Sequence, residues 1–268
     1  MTDEPAENIS GGETGGGRFD AFEPGDASRA EAIIDRLGDR YWQKTYGGQP
    51  AFECLVRTVL SQNTSDKASQ PAHDALLERY GEGDLAKNLA DAAQPELADT
   101  IASAGLYNRK SETIIRLAER IVEAYGSARE FDAYVKDTEP DSVRKTLLDM
   151  KGVGPKTADC VLLFAGGRSG VFPVDTHVHR IARRMGLAPK TADHEAVREC
   201  LEAAIPGEKC GFGHTAMIQF GREFCSARKP ACLEGPEACP LEDLCDQVGV
   251  YPEDGEVVDP SEAPDFTA

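Results

Sequence analysis

The tetrapeptide Gly152-Val153-Gly154-Pro155 leaves this chain few backbone paths. Glycine reaches positive φ without a Cβ clash, and proline, which has no N–H, suits the first residue of a helix. The tetrapeptide therefore predicts a tight hairpin between a preceding helix and a second helix starting at Pro155. Amide groups in such a turn stand at the positive end of the second helix, so they can hold a phosphate without reading a base. Lys156 falls in the first turn of that helix and leads into Cys160–Ala165, which is apolar on every side and reads as a buried helix.

Elsewhere the apolar residues also recur with helical period. Phe52, Leu55, Val56, Val59 and Leu60 share one stripe. Ile114, Ala118, Ile121, Val122 and Tyr125 share a second, and Val178, Ile181, Ala182 and Met185 a third. Alternation of the kind a strand needs is scarce, and Gly, Pro or Asn punctuates the segments, so the predicted fold is all-α. Residues 1–27 and 247–268 are acidic and poor in apolar residues, and both read as disordered tails.

A formal net charge of −18 argues at first against a nucleic-acid partner. The distribution changes that reading. Residues 1–30 and 246–268 together hold −12, whereas residues 141–190 hold nine bases and four acids, a net of +5. A locally basic face on an acidic body is compatible with DNA. The spread of Asp and Glu elsewhere, with few lysines, suggests adaptation to high salt. No run approaches the roughly 18 apolar residues of a membrane span, and Met1-Thr2-Asp3-Glu4 has neither the basic start nor the apolar stretch of a signal peptide. A soluble, cytoplasmic protein is expected, associated with the nucleoid through DNA.

Two ionisable residues invite a chemical reading. A lysine becomes a nucleophile when part of its population is neutral, as burial or a helix N-terminus favours. Such an amine at Lys156 could displace a damaged base at C1′ and leave a Schiff base. It could equally be a solvated phosphate contact. Asp175, in Val174-Asp175-Thr176-His177, precedes a helical segment and reads as an N-cap, or as a carboxylate that takes a proton or stabilises an oxocarbenium-like sugar. His177 and His179 face different directions on a helix and read as structural or DNA-proximal.

Four of the eight cysteines, Cys225, Cys232, Cys239 and Cys245, crowd into 21 residues. Without a secretion signal this clustering points to metal rather than disulfides. Paired C-x2-C knuckles of the usual zinc type are missing. A [4Fe–4S] cluster is the first reading and zinc the second. Arg228 and Lys229, interleaved with these cysteines, put positive charge on the same loop. Cys54 and Cys160 lie in apolar helical patterns and read as core.

Together these pieces resemble the endonuclease III group of the helix-hairpin-helix DNA glycosylases, over about residues 30–246. The hairpin Gly152–Ala158 resembles the family hairpin, with Lys156 on its catalytic lysine, and Val174–His177 resembles the segment bearing its catalytic aspartate. Gly105–Lys110 is similar to a segment between barrel helices. Leu60-Ser61-Gln62-Asn63-Thr64 is similar to the loop that fills the gap left by a flipped nucleotide, and Leu241–Cys245 to the context of the fourth cysteine. The resemblance implies two helical lobes: a barrel at 48–155 ending in the hairpin, and a cluster lobe from 28–47 and 156–246.

It further implies a monomeric bifunctional glycosylase and abasic-site lyase. Its partner would be double-stranded DNA with damaged bases or abasic sites, and its targets oxidised or ring-saturated pyrimidines. Lys156 and Asp175 would be catalytic, while Gln62, Asn63, Gly152, Val153, Gly154, Arg228 and Lys229 would contact DNA. A [4Fe–4S] cluster would sit on the four cysteines. One departure is the gap between Cys232 and Cys239, six residues here against two in the usual family pattern. Two rivals stay open: a monofunctional glycosylase acting on mispaired thymine, uracil or adenine, against which Lys156 argues, and a non-catalytic DNA-binding or electron-transfer iron–sulfur protein.

Overall fold

The computed structural model describes residues 28–41 and 46–264. The sequence-predicted tail at residues 1–27 lies outside the described residues. The chain divides into two compact units, one formed by residues 46–168 and the other by residues 28–41 together with 169–264. Helix α1 (Arg29–Arg40) belongs to the second unit. Its N-cap is Ser28, whose hydroxyl accepts from the Glu31 amide, and it buries Ile33, Ile34 and Leu37 on one face.

The contiguous unit holds α2 (Ala51–Ser61), α3 (Asp66–Tyr80), α4 (Leu85–Ala90), α5 (Gln94–Thr100), α6 (Tyr107–Tyr125), α7 (Ala128–Asp137), α8 (Pro140–Leu148) and α9 (Pro155–Phe164). Helix α2 packs on α9 and α3, and α6 on α4 and α5. Phe52, Leu55, Val56, Val59 and Leu60 are all buried, as the period of α2 requires. Cys160 to Ala165 is buried throughout, so α9 presents no apolar face to solvent along its second half. Its neighbours in this packing are α2 and α8, which places α9 in the contiguous unit. The boundary therefore lies at residue 168 and not at 155, because α9 completes the packing of the helices before it.

In the other unit, α10 (Thr176–Arg184), α11 (His194–Ala204) and α12 (Gly207–Glu223) join α1. Helix α12 packs on both α1 and α10, around a core that includes Phe172, Val178, Ile181, Val197, Leu201, Phe212 and Phe220. Gly221 lets α10 approach, since a Cβ there would stand 2.7 Å from the His177 ring.

Of the segment expected to be a second tail, residues 247–264 are described and pack on the fold, and residues 265–268 lie outside the described residues. Val250–Tyr251 (β1) pairs antiparallel with Glu256–Val257 (β2), with Val250 opposite Val257. Val248, Val250, Pro260 and Ala263 are buried. Arg183 donates through both terminal nitrogens to Asp259, each at 3.0 Å. Composition hid this segment because its apolar residues are few and its anchor is a pairing distant in sequence. Among the described residues, no helix is long and apolar enough to cross a membrane.

Candidate active site and cysteine pocket

The hairpin between α8 and α9 is built as its glycines suggest, but the two act differently. Gly152 takes φ +102°, and a Cβ there would lie 2.6 Å from Cγ2 of Thr113. Gly154 takes φ −101° as the N-cap of α9, and a Cβ there would meet nothing within 4 Å. Gly152 is thus required by the fold, whereas nothing among the described residues requires Gly154. The Val153 amide donates to the Met150 carbonyl at 3.0 Å and its side chain is buried, so this amide is committed inside the turn. Arg144 of α8 and Asp159 of α9, 2.7 Å apart and shielded from solvent, clamp the two helices together.

Lys156 is half-buried at the second residue of α9. Its charge is felt by Cys54: burial pushes that thiol up, and Lys156 is among the positive charges opposing the shift. Gln62, half-buried in the turn after α2, donates its side-chain amide to Oγ1 of Thr157 and to the Gly152 carbonyl. Asn63 is exposed and held at φ +53°. Gln62, the hairpin and Lys156 thus lie in one unit.

A further loop belongs with these. Gly105 and Leu106 both take positive φ, and Leu106, 57 % exposed, is the most exposed large apolar side chain among the described residues. Behind it Lys110 is buried, with Nζ donating to the Leu60 carbonyl (2.7 Å), the Ala104 carbonyl (2.9 Å) and Thr64 Oγ1 (2.6 Å). Burial lowers the Lys110 pKa to about 8. Sequence reasoning assigned neither residue a role. The signal for Lys110 was present, because it falls on the apolar stripe of α6 one turn before Ile114.

Asp175 lies in the other unit. Its Oδ1 accepts from the amides of His177 and Val178, both at 2.8 Å, which caps α10. His179 stacks on His194 with ring centroids 4.0 Å apart, and Nδ1 of His177 accepts from Arg180 at 3.2 Å.

The +5 stretch is not a free basic face. Arg144 pairs with Asp159, Arg168 donates to the last carbonyls of α7, and Arg183 is bound to Asp259. Arg180 donates to the Cys225 carbonyl, and Arg184 to the carbonyls of Ser226 and Ala227. Lys145 and Lys151 stay exposed. A count of charge along the sequence could not see these internal uses.

Cys225, Cys232, Cys239 and Cys245 line one pocket with Arg184, Met185, Phe220, Phe224 and Val250. An Arg184 N–H points at Sγ of Cys225 (3.6 Å) and the Gln247 amide at Sγ of Cys245 (3.4 Å), donors suited to negatively charged sulfur. Burial pushes the Cys239 thiol up to about 11 and the Cys245 thiol up to about 12. Among the described residues no three His, Cys, Asp or Glu side chains converge as a single ion demands. A four-iron cluster asks less convergence, since each thiolate binds its own iron, and the donor set fits it. Arg228 and Lys229 are exposed on the same loop, whose turn is closed by the Ser226 hydroxyl.

Residues 56–206 match the family model described as HhH-GPD superfamily base excision DNA repair protein. Endonuclease III of Thermotoga maritima is 35 % identical over 195 residues, covering 73 % of this chain and 82 % of that relative. Endonuclease III of Bacillus subtilis is 32 % identical over 220 residues, covering 80 % of this chain and 90 % of the relative. Among solved structures, a trapped endonuclease III–DNA covalent intermediate superposes with a TM-score of 0.66 at 28 % identity, covering 82 % of this chain and 96 % of that one. A thermostable thymine-DNA glycosylase, 21 % identical with a TM-score of 0.64, shares the fold.

Proposed function

Because the chain belongs to the endonuclease III group of the HhH-GPD base excision repair superfamily, we propose that it is a bifunctional glycosylase and abasic-site lyase acting through Lys156. It is an endonuclease III-like DNA glycosylase. Its substrate is double-stranded DNA bearing oxidised or ring-saturated pyrimidines, or abasic sites. The observation that carries the lyase reading is the position of Lys156 in the first turn of α9, beside the hairpin and backed by a buried helix. The positive end of a helix disfavours an ammonium, as a nucleophilic amine requires. The solved endonuclease III relative trapped as a covalent intermediate with DNA supports the same chemistry.

The amine of Lys156 attacks C1′, the glycosidic bond breaks, and the base leaves with the bonding electrons and takes up a proton. Ring opening gives a Schiff base. Loss of a C2′ proton then expels the 3′ phosphate by β-elimination, and hydrolysis returns the lysine. Asp175, held rigid by its cap, is the carboxylate that takes a proton or stabilises an oxocarbenium-like sugar. The target base must first leave the stack, at least cost where it is damaged. Gln62 and Asn63 occupy the vacated space, and Leu106, exposed and apolar, enters between base steps as a wedge. Amides at the start of α9 and the exposed Arg228 and Lys229 hold phosphates.

Cys225, Cys232, Cys239 and Cys245 would hold a [4Fe–4S] cluster. Bound there, it would cross-link the loop that carries Arg228 and Lys229. Borohydride trapping on an abasic duplex tests the lyase. The wild-type protein forms a covalent adduct and Lys156→Ala none; no adduct with the former, or one that persists in the latter, removes the lyase reading. Cleavage of a panel of single-lesion duplexes tests the substrate class.

A further inference from the structure

Lys110, to which no role has been given above, is 4 % exposed. Its ammonium has three acceptors, two of them carbonyls at the ends of elements. The Leu60 carbonyl belongs to the last turn of α2, and the Ala104 carbonyl ends the short 3-10 turn 102–104. Such terminal carbonyls lack partners within their own helix and carry the negative end of its dipole. Thr64 Oγ1, the third acceptor, itself donates to the Ala104 carbonyl at 2.5 Å. One cation therefore joins the loop after α2, which bears Gln62 and Asn63, to the loop before α6, which bears Leu106.

The backbone gives a second, independent sign. Among the described residues three non-glycine positions take positive φ, and two of them, Asn63 and Leu106, lie in these two loops. Backbone held in such a conformation persists only where its surroundings over-determine it, and it collects at functional sites. A buried ion pair or cation is seldom needed for stability alone, since apolar replacements of similar volume are often tolerated. Its use here is geometric.

We propose that Lys110 is a positioning residue that fixes the spacing of the Gln62–Asn63 loop and the Leu106 loop, so that both enter the duplex together. This rests on the functional reading above, in which those residues invade DNA. In this role the cation acts on base extrusion and is no part of the Schiff-base chemistry.

Two duplexes carrying an abasic site separate these steps. In the first the site is embedded in full pairing, with the fluorescent base 2-aminopurine opposite. In the second the site lies in a three-nucleotide unpaired bubble, where no extrusion is needed. Lys110→Met is expected to slow single-turnover nicking of the paired duplex at least tenfold and to suppress the 2-aminopurine signal, with nicking of the bubble within threefold of wild type. Lys110→Met and Leu106→Ala together should cost little more than either alone, since they disable one device.

Equal loss on both duplexes, or no loss on either, overturns the proposal. If Lys110→Met does not fold, Thr64→Val removes one acceptor and must show the same selectivity for the paired duplex; if it does not, the proposal falls. A wild-type protein that nicks neither duplex removes the lyase reading, and this inference with it. A working wild type beside an unselective Lys110→Met removes this inference alone.

Discussion

The side-chain amide of Gln62 donates to Oγ1 of Thr157, 3.3 Å away, one residue beyond Lys156. A second, longer bond runs to the Gly152 carbonyl at 3.4 Å. The loop after α2 is thus docked on the hairpin by two weak contacts, and Gln62 must give up both before it can fill a gap in a duplex. Thr157→Val keeps the shape of the buried side chain and removes one acceptor. Its affinity for a duplex with an abasic analogue should equal or exceed that of wild type by a few-fold in a fluorescence titration, whereas Gln62→Ala should weaken it about tenfold. Weaker binding by Thr157→Val would mean that the docked position is the working one.

Asp175 can be tested as a cap and as a catalytic group separately. Asparagine caps a helix about as well as aspartate, so Asp175→Asn should leave the melting temperature nearly unchanged, while Asp175→Ala loses about 0.5–2 kcal/mol. If the carboxylate takes a proton, base removal by Asp175→Asn should fall by roughly 10²–10⁴. Full activity in Asp175→Asn would reduce the residue to a cap.

The hairpin glycines should part company under substitution. Gly152→Ala combines a strained φ of +102° with contact on Thr113, and should cost about 1–3 kcal/mol in urea unfolding. Gly154→Ala meets no protein atom within 4 Å and should cost under about 1 kcal/mol, mainly from a poorer cap. If phosphate approaches this position, its duplex affinity should nonetheless fall several-fold.

Acid should destabilise the protein through His73. Its pKa is lowered to about 4 by burial first and by Arg57 second, although Glu53 lies 3.7 Å away. A histidine with a depressed folded-state value binds fewer protons folded than unfolded between about pH 4 and its ordinary value near 6.5. Its contribution is therefore complete above pH 6.5 and is lost as the pH falls toward 4. Burial raises Glu53, which works in the opposite sense, so the comparison must be made between variants. Chemical denaturation of wild type and His73→Gln at pH 7 and pH 4.5 should show the smaller loss in the variant.

Salt should act on the net charge of −18. Screening relieves repulsion among exposed carboxylates, so the unfolding midpoint should rise between 0.1 and 1 M KCl, taken as round test concentrations on the order of full screening. A midpoint that falls over this range would remove the idea of a high-salt surface.

What the sequence displays and what it conceals divide along a physical line. Period and turn chemistry are local, and so the stripes of α2, α6 and α10 and the Gly152 turn are visible in the order of residues. The boundary at residue 168 was not, because it depends on which helices α9 packs against. The ordered segment after residue 247 depends on Arg183 meeting Asp259 across 76 residues. Arg180 and Arg184 counted toward the basic stretch 141–190, and they hold the carbonyls of the cysteine loop. The chemical candidates Lys156 and Asp175 stood out through their motif contexts; the buried Lys110 did not, since a lysine on an apolar stripe is indistinguishable from an irregularity until its acceptors are seen.

The second unit is assembled from two stretches that are far apart in the chain, and this orders events during synthesis. The unit of residues 46–168 is continuous and can fold as soon as its last helix emerges, as domains generally do. Helix α1 is made before that unit but finds α12, against which Ile33, Ile34 and Leu37 are covered, only after α12 has been translated. For most of translation, then, the apolar face of α1 waits uncovered, and a helix made before the contiguous unit reaches its native place after it.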